Sequence, residues 1–403
     1  MIIEQTASKR LISTIAILSI IILGALLYEF EPVLIQSPLR LARAVVEECK
    51  KENYRPLCYE KKVPALMDRG LSMEGAYAVT RKIQTLDSDY HYCHVLAHNI
   101  SAKETAKDPS KWKDIVARAP SGICGNGGLH GAFQERFRTD ALPNATISEL
   151  LQELDGACDP RDKWSPTFLE RSSCMHGLGH LTMYITDGDI KKSAALCGIL
   201  GKPNADEDFR RTCIDGAFMQ IFQPLEPEDK SLVEKIAPTA GERSAFCNEF
   251  EGISRTSCIK ESWPLVVSSI ITTKGFADLC APLSGSYEEY RYCASGLVYT
   301  VFGRLEYDAK KMMEFCAPLP AQLQNICVSR TASRFIETDW RNIPQALAVC
   351  LNVPLPSRDA CFSELTEFAE QGLHKNSQEA RTLCGGMPEP WRSRCFLASQ
   401  TKP

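Results

Sequence analysis

Apolar residues recur at helical spacing through most of the chain, in alternating short and long runs. After Cys361 the stretch PheSerGluLeuThrGluPheAlaGlu sets Phe362, Leu365, Phe368 and Ala369 on one helical face. Shorter amphipathic segments precede such runs, for example AspAlaLysLysMetMetGluPheCys up to Cys316 and TrpArgAsnIleProGlnAlaLeuAlaValCys up to Cys350. Between a short run and the next long one stands a Pro, Gly or charged loop such as AlaProLeuProAlaGln. Breakers between two periodic runs predict a helix, a turn and a longer helix, and the unit then repeats.

The 18 cysteines give the phase of that repeat. From Cys247 onward they read Cys247/Cys258, Cys280/Cys293, Cys316/Cys327, Cys350/Cys361 and Cys384/Cys395, couples 11 to 13 residues apart that begin every 33 to 36 residues. Cys158/Cys174 and Cys197/Cys213 repeat the arrangement with longer loops, and Cys49/Cys58 with a shorter one. A period near 34 is that of a two-helix repeat. Each couple is expected to staple the end of one helix to the beginning of the next. Thiolates eleven residues apart in every unit do not match the spacing of zinc knuckles, so disulfides are the expectation. Closing loops of this size contributes roughly 2–4 kcal/mol per bridge.

These features predict an all-α chain, an α-solenoid of about nine disulfide-stapled two-helix repeats. In period, helix pairing and cysteine placement it resembles the tetratricopeptide and Sel1-like helical repeats, especially their secreted, disulfide-stapled forms. The resemblance is one of architecture only, because the tetratricopeptide consensus of Trp, Leu-Gly, Tyr, Ala and Phe positions is absent.

Disulfides need an oxidising compartment. Leu11 to Tyr28 is an uncharged apolar or small stretch behind Lys9 and Arg10, about the minimum length of a membrane span. The reading is a cytoplasmic N-terminus (1–10), a transmembrane signal anchor (11–28), a tether (29–40) and a cysteine-rich helical-repeat domain (41–403) outside the cytoplasm, periplasmic or at the cell surface. A cleaved signal peptide is the rival, and the sequence AlaLeuLeuTyrGluPheGluPro offers it no small-x-small cleavage site. The net charge of −4 and the lack of a basic run beyond the membrane flank argue against nucleic acid as a partner. Asn99 and Asn144 sit in glycosylation triplets, which arise easily by chance.

Six of the seven histidines lie between residues 91 and 180, within a histidine-bearing part spanning 90–185. His130 and His180 each stand six residues past the second cysteine of their repeat, and with a one-residue slip His94 and His98 fall on His176 and His180. An i, i+4 pair of histidines projects from one helical face, a standard way for two imidazoles to share an ion. The expected metal ligands are therefore His94, His98, His130, His176 and His180. Neighbouring helices pack about 8–10 Å apart. That spacing makes His94, His98 and His130, or His130, His176 and His180, the natural triads, whereas all five on one ion would require tight curvature. Zinc is favoured, with copper or iron as alternatives, and Met183, one turn after His180, would suit soft ligation unless it is core. Two other readings stand beside metal binding: a metal-free polar or catalytic cleft, and histidines of purely structural origin.

Gly127, Gly177, Gly216 and Gly296 each follow a cysteine by three residues. Helix-interior glycine costs about 1 kcal/mol relative to alanine, so close helix packing is expected at Gly216 and Gly296, while the glycines of GlyAsnGlyGlyLeuHisGly also leave room for a ligand near the backbone. Cys93 and Cys124 lack short-range mates, and a disulfide between them is preferred to a pair of metal-bound thiolates. The nearby carboxylates are Glu104, Glu135, Asp187 and Asp189. No HExxH, GxSxG, phosphate loop or CxxCH occurs. The functional expectation is thus a membrane-anchored binding or scaffold protein, taking a protein or peptide on its concave face and a transition metal in its first repeats. A metal-dependent hydrolase or oxidoreductase using the same histidines is the alternative.

Overall fold

The computed structural model describes residues 37–402 except 92, 138–145, 162, 203–207 and 225–226. Leu11 to Tyr28, expected to span a membrane, and Asn144 lie outside the described residues. Among the described residues no helix is long and apolar enough to cross a membrane. The described chain is all-helical, its only β pairing being the isolated bridges Ile123–Asp339 and Arg161–Trp164.

Two compact units meet in sequence between Asp87 and Ser88. The first contains α1 (Pro38–Cys49), α2 (Arg55–Asp68) and α3 (Met73–Leu86). Ser37 and Ser72 cap α1 and α3 by accepting from backbone N–H groups of their first turns. Asp87 accepts from the Tyr59 hydroxyl at 2.6 Å and pairs with Arg55 at 3.0 Å, so this buried carboxylate ties α2 to the end of α3.

The second unit runs α4 (His94–Lys107), α5 (Trp112–Arg118), α6 (Gly127–Arg136), α7 (Ile147–Leu154), α8 (Phe168–Ile185), α9 (Ile190–Leu200), α10 (Arg210–Phe222), α11 (Pro227–Val233), α12 (Arg243–Cys247), α13 (Gly252–Glu261), α14 (Val267–Ile270), α15 (Thr273–Cys280), α16 (Tyr287–Arg304), α17 (Ala309–Cys316), α18 (Ala321–Thr338), α19 (Ile343–Leu351), α20 (Leu355–Gly372), α21 (Gln378–Gly386) and α22 (Trp391–Ala398). Each short-range cysteine couple forms a disulfide, and Cys93 pairs with Cys124. From Cys197 onward the first cysteine stands in the last turns of a short helix, as expected, but the second lies one to two turns inside the next helix. Thus α18 already starts at Ala321, in the middle of AlaProLeuProAlaGln, because Pro320 ends the turn and residues 321–326 continue the helical period into Cys327.

The long helices bury more than one face. In α8 the buried set includes Cys174, Met175, Gly177, Leu178, Gly179, Leu181, Thr182 and Met183, which go round the helix rather than along one stripe. One core of side chains runs from Met183 to Cys395 and includes both cysteines of each bridge from Cys197/Cys213 onward. Later helices return to earlier ones within this unit. His374 Nε2, beyond α20, lies 3.4 Å from Glu170 of α8, and the strand-like bridge joins Ile123, just before α6, to Asp339, just after α18.

Candidate metal centre

Close backbone approach brings the histidine-bearing helices together. A Cβ on Gly127 would come within 2.5 Å of the His94 carbonyl oxygen, and one on Gly216 within 2.0 Å of the His176 carbonyl oxygen. Gly177 leaves just the room that the His130 ring occupies, 2.7 Å from where its Cβ would stand. These glycines therefore serve helix-to-helix contact, as does Gly131; for Gly127 and Gly131 of GlyAsnGlyGlyLeuHisGly the neighbour is α4. The Cys93–Cys124 bridge, with its Cα atoms 4.7 Å apart, fixes the N-terminus of α4 beside the turn that opens α6. In that turn Cys124, Gly125 and Asn126 all adopt positive φ, a conformation that costs a non-glycine residue free energy. It aims the Cys124 carbonyl at His94.

Three ring nitrogens converge. His98 Nε2 lies 3.1 Å from His94 Nε2 and 3.2 Å from His130 Nδ1, and the three ligand atoms all fall within 4.8 Å of one another. The other ring nitrogens are held from outside: His94 Nδ1 donates to the Cys124 carbonyl at 3.1 Å and His130 Nε2 to the Ser173 carbonyl at 2.8 Å. A carbonyl only accepts, so these bonds fix the tautomers and leave His94 Nε2 and His130 Nδ1 unprotonated. Gln134 holds the His98 ring by a side-chain hydrogen bond. A neutral His98 has one proton, which that bond engages, so Nε2 meets both neighbours as an acceptor. A cation between them serves all three. Ligand nitrogens about 2.0–2.1 Å from a tetrahedral ion stand about 3.3 Å from each other, close to the two distances that His98 Nε2 makes.

The remaining pair repeats the geometry. His180 Nε2 and His176 Nε2 are 3.3 Å apart, with His180 Nδ1 bonded to Gln220 Oε1 at 2.7 Å and a backbone hydrogen bond to Thr212 holding His176. The His130 ring centroid lies 5.7 Å from that of His176 and 6.0 Å from that of His180. All five expected histidines thus form one continuous cluster on α4, α6 and α8. Of the two triads expected, His94, His98 and His130 converge, while His130 turns Nδ1 to His98 and gives Nε2 to Ser173. The pair on α8 faces instead Met219 of α10, whose Sδ is 3.3 Å from His176 Nε2.

Burial keeps the rings neutral. Desolvation pulls His94 down to about 4. It also holds His98, His130 and His176 well below the ordinary imidazole range and lowers His180, partly offset there by Gln220 and Asp229. His94, His98 and His130 are 7–9% exposed. His176 and His180 are half-buried. Neutral rings with the unprotonated nitrogen inward and the other bonded to a carbonyl are the form a metal needs.

The other sequence candidates have different places. Met183 is fully buried in the apolar core, so the sulfur near the histidines comes from the next repeat. Glu104 pairs with Lys107 at 2.7 Å and with Arg118 at 3.3 Å. Asp187 occupies a left-handed turn and Asp189 caps α9, while Glu135 is half-buried on α6 and Asn99 half-buried on α4. No motif marks the ion pair next to the cluster: Lys260 Nζ contacts buried Asp215 Oδ2 at 2.5 Å and Glu261 Oε1 at 2.9 Å, and the Tyr292 hydroxyl donates to Asp215. Asp215 stands two residues past Cys213, where His176 stands past Cys174, so the polar inner row continues from imidazoles into an ion pair.

No known family, curated protein or solved structure matches the chain.

Proposed function

We propose that the chain is an extracytoplasmic helical-repeat binding protein, anchored through residues 11–28, that holds a transition metal ion on His94, His98 and His130. The observation that carries the metal reading is the approach of three ring nitrogens at 3.1 and 3.2 Å with two of them held in the unprotonated form. Zinc suits an all-imidazole set. The enclosure of these rings and the engagement of Glu104 with two cations favour an ion that is structural or carried over one that does chemistry, so the hydrolase or oxidoreductase reading has less support. Nine disulfides support the extracytoplasmic placement. The finer architecture we propose is an α-solenoid of about nine two-helix repeats, supported by the helix–bridge–helix unit recurring from Cys158 onward. Its concave face would take a protein or peptide, a role that rests on the repeat architecture alone.

The test is thermal unfolding of the full-length oxidised chain with and without zinc. An ion that binds only the native state raises Tm with its concentration. A zinc-dependent rise in the wild type that vanishes in His94→Ala/His98→Ala supports the reading, and equal curves for both proteins refute it.

A further inference from the structure

We infer that His176, His180 and Met219 form a second metal site, separate from the three-histidine site and selective for the soft monovalent ion Cu(I). The inference deepens the metal-binding reading and rests on it. His130 has no lone pair left for a second ion, since Nδ1 faces His98 and Nε2 donates to the Ser173 carbonyl. The α8 pair therefore needs its own partner, and the nearest donor is the Met219 thioether, 3.3 Å from His176 Nε2. With the outer nitrogens of His176 and His180 held by Thr212 and Gln220, two lone pairs face each other at 3.3 Å, an arrangement that a cation relieves.

The donor set chooses the ion. A thioether with two imidazoles is a soft, wholly neutral set, and soft ligands select Cu(I) over harder divalent ions. Free thiols do not compete, because among the described residues the cysteines are all in disulfides. Access differs too: His176, His180 and Met219 are each half-buried, whereas the first three histidines are closed in. Met219 stands six residues past Cys213, as His180 does past Cys174. The same inner row thus supplies imidazole in one repeat and sulfur in the next.

The experiment uses the full-length chain, oxidised and without a histidine tag, saturated with Zn(II) and then titrated with Cu(I) under ascorbate against a chromophoric Cu(I) chelator. Expected is one Cu(I) retained beside one zinc, with a sulfur neighbour in the copper X-ray absorption spectrum. Met219→Leu, which conserves volume, should weaken Cu(I) about tenfold or more with zinc content unchanged. His98→Ala should lose zinc and keep Cu(I). Equal Cu(I) retention in Met219→Leu, or a copper spectrum without sulfur, overturns the inference while zinc retention upholds the first site. Cu(I) held with sulfur in a chain that binds no zinc supports the second site and removes zinc from the first. Retention of neither ion overturns both.

Discussion

Gly131 of α6 sits against the His98 backbone: a Cβ there would lie 2.1 Å from the His98 carbonyl oxygen. The obstacle is backbone, which does not swing aside as a side chain would, so the two helices must separate to admit a methyl group. Gly131→Ala is expected to destabilise by about 1–3 kcal/mol through overpacking and to draw His130 away from His98. Thermal unfolding should show a lower Tm, and the zinc-dependent rise in Tm should shrink with it. A variant with normal Tm and normal zinc response would show that the close approach is not what assembles the site.

The bridges are predicted to differ in kind. Removing Cys93–Cys124 as a double serine variant should cost about 3 kcal/mol and also abolish metal retention, since this bond fixes α4 beside the turn whose Cys124 carbonyl holds His94. Removing Cys384–Cys395, remote in the last repeat, should lower stability and leave metal content unchanged. Denaturant unfolding with elemental analysis of both variants separates the two effects.

The metal-free protein should lose stability as pH falls. An imidazole whose folded pKa lies below its unfolded value, about 6.5, is neutral in the native state while the unfolded chain takes up the proton. Its stabilising contribution is complete above pH 6.5 and declines as pH drops toward the folded value, about 4 for His94. Burial shifts His98, His130, His176 and His180 the same way. Urea unfolding at pH 7.5, 6 and 5 should give falling stabilities, with a shallower decline in His98→Gln. A decline that is unchanged in the variant would assign it to other groups.

Asp215 is buried and Lys260 half-buried against it, and removing the lysine leaves the buried carboxylate without compensation. Lys260→Met is expected to destabilise by about 3 kcal/mol. Lys260→Met with Asp215→Leu should recover part of that loss, measured as a coupling in a double-mutant cycle. Additive losses would show that the two charges do not depend on each other.

The stapled helix pairs were legible because disulfide spacing and helical period are both properties of the linear chain, and the couples formed as their spacing indicates. The histidines were legible for the same reason: alignment on the cysteines puts equivalent residues on equivalent faces, and His94, His98, His130, His176 and His180 do meet. Contacts set by rotation about a helix and by neighbouring repeats were not legible. Met183 follows His180 by three residues and turns into the core, whereas Met219 reaches His176 from α10. The carbonyls of Cys124 and Ser173 that fix the imidazole tautomers carry no sequence signature, since every residue has one. The start of α18 inside a Pro-containing stretch was hidden because proline at a helix entrance resembles proline in a loop.

The most direct measurement is elemental analysis of the full-length chain, purified oxidised and without a histidine tag, beside His94→Ala/His98→Ala. A transition metal in stoichiometric amount, zinc by expectation, that is absent from the double variant is the predicted result. A folded wild-type chain that carries no metal and takes up none on titration with zinc, copper or iron would contradict the account.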